Sequence, residues 1–461
     1  MNPRKLFVAS CTALIASAFS FIIRQDLLAT WGQTLDISTT RLGQIGGSAF
    51  FGMAIAMLIG APICDRLGMK LMLGLAFLCH LVGTLGTIAI PFLGLKGDQA
   101  YTTLLTFTFL VGAANGLIEI GINPLAATLY PTRKTHMLNI LHAWWPGGMI
   151  LGGLLSLGIA YVVKSDATYN LAGITFLGWQ FKMALILLPL LVYGILFVTQ
   201  EFPVTERVAS GVSSAEMFKE AARPLFLLWA FCMLLTSATE LAPQSMQGLV
   251  LGKTAGMSGT MILIYTSSIM FVMRHFAGNL AHALSPIGML TISAALAGIG
   301  LFSLSWAYDA TTAVAAATVF GVGIAYFWPT MLGVTAERFP KGGAFLLGLM
   351  GCIGNLAVGG AQSTMGTIND GVTFSSMDPS LKAKVVDEFQ VIQDSKVLAL
   401  PAEEQVAVQA AQAEGAKWSF RYVSFLPAIL VVIFGGIALY DRSRGGYKAE
   451  ELPAATLATD Y

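Results

Sequence analysis

Glu119 sits in the run Asn115-Gly-Leu-Ile-Glu119-Ile-Gly-Ile-Asn123, where a polar side chain recurs every fourth residue of an apolar stretch. On a helix that spacing puts Asn115, Glu119 and Asn123 on one face. A carboxylic acid held away from bulk water can take up and release a proton as its access to water alternates. Asp26, two residues after Arg24, and Glu240, in Thr236-Ser-Ala-Thr-Glu240-Leu-Ala-Pro243-Gln244, are the other acids within apolar runs. The competing reading makes Glu119 or Asp26 one half of a fixed ion pair with Arg24, locking two helices. Asp26 also suits a plain cap at the outer end of its helix, and Glu240 lies beside a proline where the helix is expected to break.

Amides and tryptophans accompany these acids. The segment Asn139-Ile-Leu-His142-Ala-Trp144-Trp145-Pro146-Gly-Gly is followed, later in the chain, by Gln244, Gln247, Asn279, Trp328, Asn355 and Gln362. Amides and carboxylates bond hydroxyls, and tryptophan packs on a C–H face, so the set suits a hydroxyl-rich solute such as a sugar. The candidate binding residues are Asn115, Glu119, Asn123, His142, Glu240, Gln244, Trp328 and Asn355. No central lysine or arginine cluster is available for a dianion. Trp144, Trp145 and Trp328 fit an interfacial aromatic belt as well as a binding wall. The five histidines lack zinc-ligand spacing, the five cysteines form no Cys-x-x-Cys, and no Walker-type glycine loop is present. Pairs of acids occur, but none sits beside a nucleophile or metal cluster in a way that the sequence supports, so neither an enzyme nor a metal or cofactor is expected.

The elements that hold these groups are set by composition. Of 461 residues only 11% are charged and 56% are hydrophobic, with 49 glycines and a mean hydropathy of +0.72. An ordinary soluble domain is about a quarter charged, so a soluble enzyme is excluded, and a net charge of +1 argues against nucleic acid. Apolar runs predict an all-α membrane protein with twelve spans near 7–30, 43–64, 71–93, 101–129, 139–163, 180–199, 223–250, 257–280, 286–306, 310–333, 343–367 and 417–440. With the amino terminus inside, fifteen basic residues face the cytoplasm and ten the outside, which puts both termini in the cytoplasm of a bacterial-type inner membrane. Residues 1–200 and 223–440 then form two six-helix bundles joined by a cytoplasmic linker, 201–222, and followed by a cytoplasmic tail, 441–461. The polar stretch 368–416 reads as an external excursion with one or two short helices broken near Pro401, packed loosely on the outer face.

The halves echo one another. Asn123-Pro124 in the fourth span parallels Trp328-Pro329-Thr330 in the tenth, and Asp65-Arg66-Leu67-Gly68 after the second parallels Arg274-His275-Phe276-Ala277-Gly278 after the eighth. A parallel repeat of six spans is an architecture of alternating-access carriers, with substrate held near the midplane.

The segment Gly60-Ala-Pro-Ile-Cys-Asp65-Arg66-Leu-Gly68-Met-Lys70 resembles the loop signature of the major facilitator superfamily. That resemblance implies a cytoplasmic latch involving Asp65, Arg66 and Lys70, with Arg274 as the corresponding group in the second half. Within the superfamily, Asp26, Glu119 with Asn123-Pro124, the Asn139–Gly148 segment, Thr254-Ala255-Gly256, Arg274–Gly278 and Pro329-Thr330 are similar to the fucose permease branch of proton-coupled sugar symporters. The branch implies proton coupling at Asp26 and Glu119 and a monosaccharide substrate, fucose- or glucose-like. It lacks a 368–416 insertion, and it carries asparagines where this chain has Ile23-Arg24-Gln25. The expected protein is a monomeric symporter surrounded by lipid. Sodium coupling, efflux of drugs or metabolites, and a non-transporting sensor or scaffold are the alternatives.

Overall fold

The computed structural model describes residues 2–254, 259–387 and 392–452, with the side chains of all of these except 39–40, 245–254, 259 and 394–395. The first half contains α1 (Pro3–Leu35), α2 (Thr39–Leu67), α3 (Met69–Ala89), α4 (Gly97–Leu129), α5 (Lys134–Val162), a hairpin of β1 (Thr168–Leu171) and β2 (Ile174–Leu177), α6 (Gly178–Ala184) and α7 (Leu187–Val198). Two short helices, α8 (Glu206–Ala209) and α9 (Ser214–Glu220), lie in the linker. The second half contains α10 (Pro224–Thr254), α11 (Gly259–His275), α12 (Ala277–Leu304), α13 (Ala310–Ile324), α14 (Phe327–Arg338), α15 (Gly343–Ser376), α16 (Pro379–Val385), α17 (Asp394–Leu398), α18 (Ala402–Val423) and α19 (Phe425–Ser443). Among the described residues, eleven helices are long and apolar enough to cross a membrane, counting α6–α7, α13–α14 and α18–α19 each as one. The expected eighth span near 257–280 begins among residues 255–258, which lie outside the described residues, and its helix α11 ends at His275.

Proline sets most of the interruptions. A proline ring lacks an N–H and crowds the carbonyl four residues earlier. The breaks at Leu185–Ile186, Ala325–Tyr326 and Ser424 precede Pro189, Pro329 and Pro427 by three or four residues. In α12, Ser285 adopts φ 63° directly before Pro286. Pro62, Pro124, Pro146 and Pro243 remain inside their helices.

The helix faces turned outward are apolar. Leu71, Leu75, Leu78, Val82 and Leu85 form one exposed stripe along α3, the surface expected of a helix in lipid rather than in water. The chain is a multi-pass membrane protein. Inside, α4 packs along α2 and α3, α1 along α5, and α12 along α13 and α19. Across the halves, α15 lies against α2, while α11 and α14 lie against α5. The Phe7 ring packs on Tyr130, the Thr135 amide donates to Glu337 Oε1, and the Glu450 amide donates to the Glu337 carbonyl. The start of α1 and the C-terminal tail therefore lie at one end of the molecule, hereafter the terminal end.

The 368–416 stretch departs from expectation. Helix α15 runs on to Ser376 and α18 begins at Ala402, so both flanking spans project beyond the predicted boundaries. Met377, Leu381, Val385, Val408 and Ala411 bury one another in a small core. Among its described residues the stretch forms a packed cap rather than a loose excursion, because its apolar residues recur at helical spacing and find partners on α18. The β1–β2 hairpin was not anticipated either.

Helices α2 and α4 approach so closely that a Cβ at Gly112 would lie 2.0 Å from the Ala49 carbonyl oxygen, and one at Gly52 would lie 2.2 Å from that of Phe109. Backbone cannot yield as a side chain can, so only glycine fits. Gly112→Val is expected to cost more than about 2 kcal/mol and to lower the yield of monodisperse protein in detergent. Gly158→Val, where a Cβ meets nothing within 4 Å, is expected to leave thermal unfolding unchanged.

Candidate functional site

A cavity of about 420 Å³ lies between the halves, lined from the first by α1, α2, α4 and α5 and from the second by α10, α11, α14 and α15. Glu119, Asn115 and His142 face it from one side, and Glu240, Gln244, Arg274, Trp328 and Asn355 from the other. Asp26 lies toward the end opposite the termini, with Gln25, Thr260 and Gln362 also on the wall. Of the eight binding candidates only Asn123 is absent from the lining. It is buried behind Glu119 and donates from Nδ2 to Glu119 Oε2 at 2.7 Å. Gln247 and the Thr254-Ala255-Gly256 segment fall outside the described side chains.

The three acids have different surroundings. Asp26 Oδ2 accepts from Lys182 Nζ at 2.7 Å and from Ser156 Oγ at 2.8 Å, and Oδ1 accepts from Thr260 Oγ1 at 3.3 Å across the halves. Its side chain keeps 18% exposure. Glu240 Oε1 accepts from Arg274 Nη2 at 3.1 Å and Oε2 from the Trp328 amide at 3.2 Å. Glu119 has no lysine or arginine partner among the described residues. Its carboxylate is held by Asn123, whose Oδ1 lies 2.9 Å from His142 Nε2. His142 Nε2 is also 3.8 Å from Glu119 Oε2.

Arg24 is not the partner of either acid. It points into the first half, donating to Thr108 Oγ1 at 2.7 Å and Thr87 Oγ1 at 3.4 Å. Residues 24 and 26 differ by about 200° around a helix, so they cannot both face the cavity.

The amides are oriented from behind. Asn115 Oδ1 is 2.8 Å from His80 Nε2, which leaves the Asn115 amino group toward the cavity. Asn355 donates from Nδ2 to the Gly351 carbonyl at 2.8 Å, which leaves its oxygen free to accept. Trp145 lines the cavity, whereas Trp144 packs against Phe271 and His275. The walls thus carry both donors and acceptors on an otherwise apolar surface, the lining suited to a compact polar solute.

At the terminal end α5 is bonded to α14. Lys134 Nζ donates to the Ala336 carbonyl at 3.3 Å, the Thr135 amide to Glu337 Oε1 at 2.9 Å, and Asn139 Nδ2 to Thr330 Oγ1 at 3.2 Å. Of the latch candidates, Asp65 is bonded to the linker: Oδ2 accepts from Arg207 Nε at 2.5 Å and Oδ1 from Thr205 Oγ1 at 2.6 Å. Lys70 Nζ donates to the carbonyls of Val198 at 3.2 Å and Gln200 at 2.8 Å. Arg66 is exposed. Arg274 does not join this rim. It is buried at the cavity with Glu240, because its position on the last turn of α11 turns the guanidinium inward while His275 and Phe276 are exposed.

The facilitator model matches residues 6–361, more than half of the sequence. The chain belongs to the Major Facilitator Superfamily. By that membership it is a carrier and not an enzyme. Among curated relatives, the facilitator chain is 26% identical over 151 residues to the cis,cis-muconate transport protein of Acinetobacter baylyi, covering 32% of this chain and 35% of that one. It is 27% identical over 178 residues to the D-xylose transporter of Levilactobacillus brevis, covering 39% and 33%. It is 26% identical over 359 residues to the gentisate transporter of Corynebacterium glutamicum, covering 71% and 75%. The chain thus spans about a third of the length of the first two. Among solved structures, the E. coli fucose:proton symporter superposes with a TM-score of 0.64 at 15% identity, covering 92% of this chain and 98% of that one. The E. coli xylose transporter in a partially occluded inward-open form gives 0.65 at 13% identity, covering 95% and 99%. These two likenesses establish the fold.

Sequence reasoning missed three partners. Lys182 carried a usable signal, being a cation at the start of an expected span, as Arg24 did in the first. Arg207 and His80 carried none, since their importance comes from contacts 142 and 35 residues away.

The Asp65–Arg207 pair leaves side-chain exposures of only 1% and 6%. Removing one partner strands a buried charge, whereas removing both does not. Arg207→Met is expected to destabilise the protein by about 3 kcal/mol or more in detergent, and Asp65→Asn in the same chain to restore most of that loss. Additive losses in thermal unfolding would show that the pair is not coupled.

Proposed function

We propose that this facilitator is a proton-coupled monosaccharide symporter working by alternating access. In this reading twelve spans form two six-helix bundles, 1–200 and 223–440, joined by the 201–222 linker, with both termini and the 441–461 tail in the cytoplasm of a bacterial inner membrane. The carrier acts as a monomer in lipid. Glu119 carries the coupling proton, and Asp26 answers it nearer the outer end of the cavity. Asn115, His142, Gln244, Trp328 and Asn355 contact the sugar, Asn123 holds the Glu119 carboxylate, and Glu240 supports the second half of the wall. Asp65 and Lys70 act in the cytoplasmic latch, with Arg66 beside them.

The observation that carries this reading is the setting of Glu119. It lines the central cavity, its bonded neighbours are an amide and an imidazole, and no lysine or arginine forms an ion pair with it among the described residues. A carboxylate in that position is stabilised by a proton when water is excluded and can release it when water returns. The fold shared with the fucose and xylose carriers and the partial match to the D-xylose transporter support a sugar.

The relatives named for muconate and gentisate favour a second reading, an organic acid. The cavity argues against it. Lys182 is committed to Asp26, and three nitrogens of Arg274 are committed to Glu240 and to two carbonyls. An anion would have to displace an existing partner to find a cation.

The test is uptake of labelled fucose, glucose, xylose and gentisate into proteoliposomes, with proton and sodium gradients imposed separately. A sugar accumulated under an inward proton gradient is the expected result. Glu119→Gln is expected to reduce accumulation to equilibration, a loss of at least tenfold, while retaining sugar exchange between the two faces. Accumulation of gentisate alone, or of sugar under sodium alone, would overturn the assignment.

A further inference from the structure

Arg274 bonds two carbonyls that have the same history. Nη1 donates to the His142 carbonyl at 2.7 Å and Nε to the Ala325 carbonyl at 2.6 Å. In a continuous helix the carbonyl of residue 142 accepts from the amide of residue 146, and that of 325 from 329. Both of those positions are proline, Pro146 and Pro329, and proline has no amide hydrogen. One guanidinium therefore replaces two missing backbone donors, one in each half of the chain. Glu240 Oε1, at 3.1 Å from Nη2, fixes the third corner.

The bond to Ala325 and the bond to His142 differ in consequence. Ala325 and Glu240 belong to the same half as Arg274, so those contacts persist if the halves move as units. His142 is on α5, in the other half. Opening the terminal end separates α5 from α14 and α11, and the His142 carbonyl then loses its donor.

We infer that Arg274 is a positioning residue that helps to hold the terminal end closed, beside the α5–α14 bonds, by supplying the hydrogen bond that Pro146 denies to the His142 carbonyl. The bond ties the Glu119–Asn123–His142 chain of the first half to the Glu240–Trp328 pair of the second. It acts at the cavity floor, apart from the Asp65–Arg207 contact at the linker. The inference rests on the alternating-access reading but not on the identity of solute or ion.

The test measures the spacing of the terminal ends without substrate. Spin labels are placed at the exposed Arg133 and Lys341 in a chain whose five cysteines are replaced by serine, and the distance distribution is recorded in nanodiscs. Arg274→Met is made together with Glu240→Gln so that no buried charge is stranded. This pair is expected to raise the ratio of long to short distances about fivefold or more, whereas Glu240→Gln alone changes it less. Pro146→Ala restores an amide to α5 and touches no charge. It is expected to raise the same ratio, because the His142 carbonyl then keeps a donor in both states. Combining all three changes is expected to add little to either effect. An unchanged ratio in both Pro146→Ala and the Arg274 variant, or fully additive effects, overturns the inference. A single distance in the parent at every pH and sugar concentration would instead overturn alternating access itself.

Discussion

In a bilayer every backbone carbonyl must find a donor within the protein, because hydrocarbon offers none. Prolines inside spans make that demand acute, since each leaves a carbonyl four residues earlier without its helical partner. At Pro124, Pro146 and Pro329 the donors come from neighbouring helices. Pro124 frees the Ile120 carbonyl, which accepts from Cys64 Sγ at 3.3 Å. Pro329 frees the Ala325 carbonyl and Pro146 that of His142, and both accept from Arg274. Helices α4 and α5 run on through Pro124 and Pro146, and the α13–α14 break lies before Pro329, with a cross-helix donor at each freed carbonyl. Packing at the centre of the molecule follows from this exchange, because each donor fixes how closely its helix approaches the next.

The charged groups obey a related rule. An ion in the membrane interior costs several kcal/mol unless it is paired or faces a wet cavity. Asp26 and Glu240 take the first course, with Lys182 and Arg274, while Arg24 is solvated by two threonine hydroxyls. Glu119 takes the second, bordering the cavity with an amide and an imidazole at its back. Glu119 is held by an amide and an imidazole, whereas Asp26 and Glu240 are each bonded to a cation.

Much of this was legible in the sequence. The 11% charge fraction and the apolar runs require a multi-span helical protein, and the four-residue spacing of Asn115 and Glu119 puts both on the cavity wall. His142, Gln244, Trp328 and Asn355 could be identified because polar or amphipathic groups in apolar runs are few. What could not be read were the partners. Which cation neutralises Asp26, why Asn115 presents its amino group, and that Arg274 turns inward rather than to the rim all depend on helix rotation and on contacts between distant segments. Periodicity places a residue on a face but leaves the opposing residue unknown. The extension of α15 to Ser376 was hidden for a different reason, since Gly366, Asn369 and Asp370 read locally as loop while packing against α18 keeps them helical.

The internal repeat sharpens the contrast between the halves. Aligning Gly68 with Gly278, an offset of 210, sets Cys64 opposite Arg274, each four residues earlier, and an offset five residues shorter sets Pro124 opposite Pro329. Each member of the first pair donates to the carbonyl freed by the corresponding proline. The capping arrangement is thus present in both halves, with a neutral thiol in one and a guanidinium in the other. A thiol has one weak hydrogen to give and can satisfy Ile120 only. A guanidinium has five, so after satisfying Ala325 it retains donors for Glu240 and for His142 across the divide. The substitution of one capping group for another converts a contact internal to a half into one that joins the halves. It also places a cation in the second half, which an acid must neutralise there. Glu240 meets that need, and Glu119, facing it from the half capped by a thiol, has no lysine or arginine ion-pair partner among the described residues.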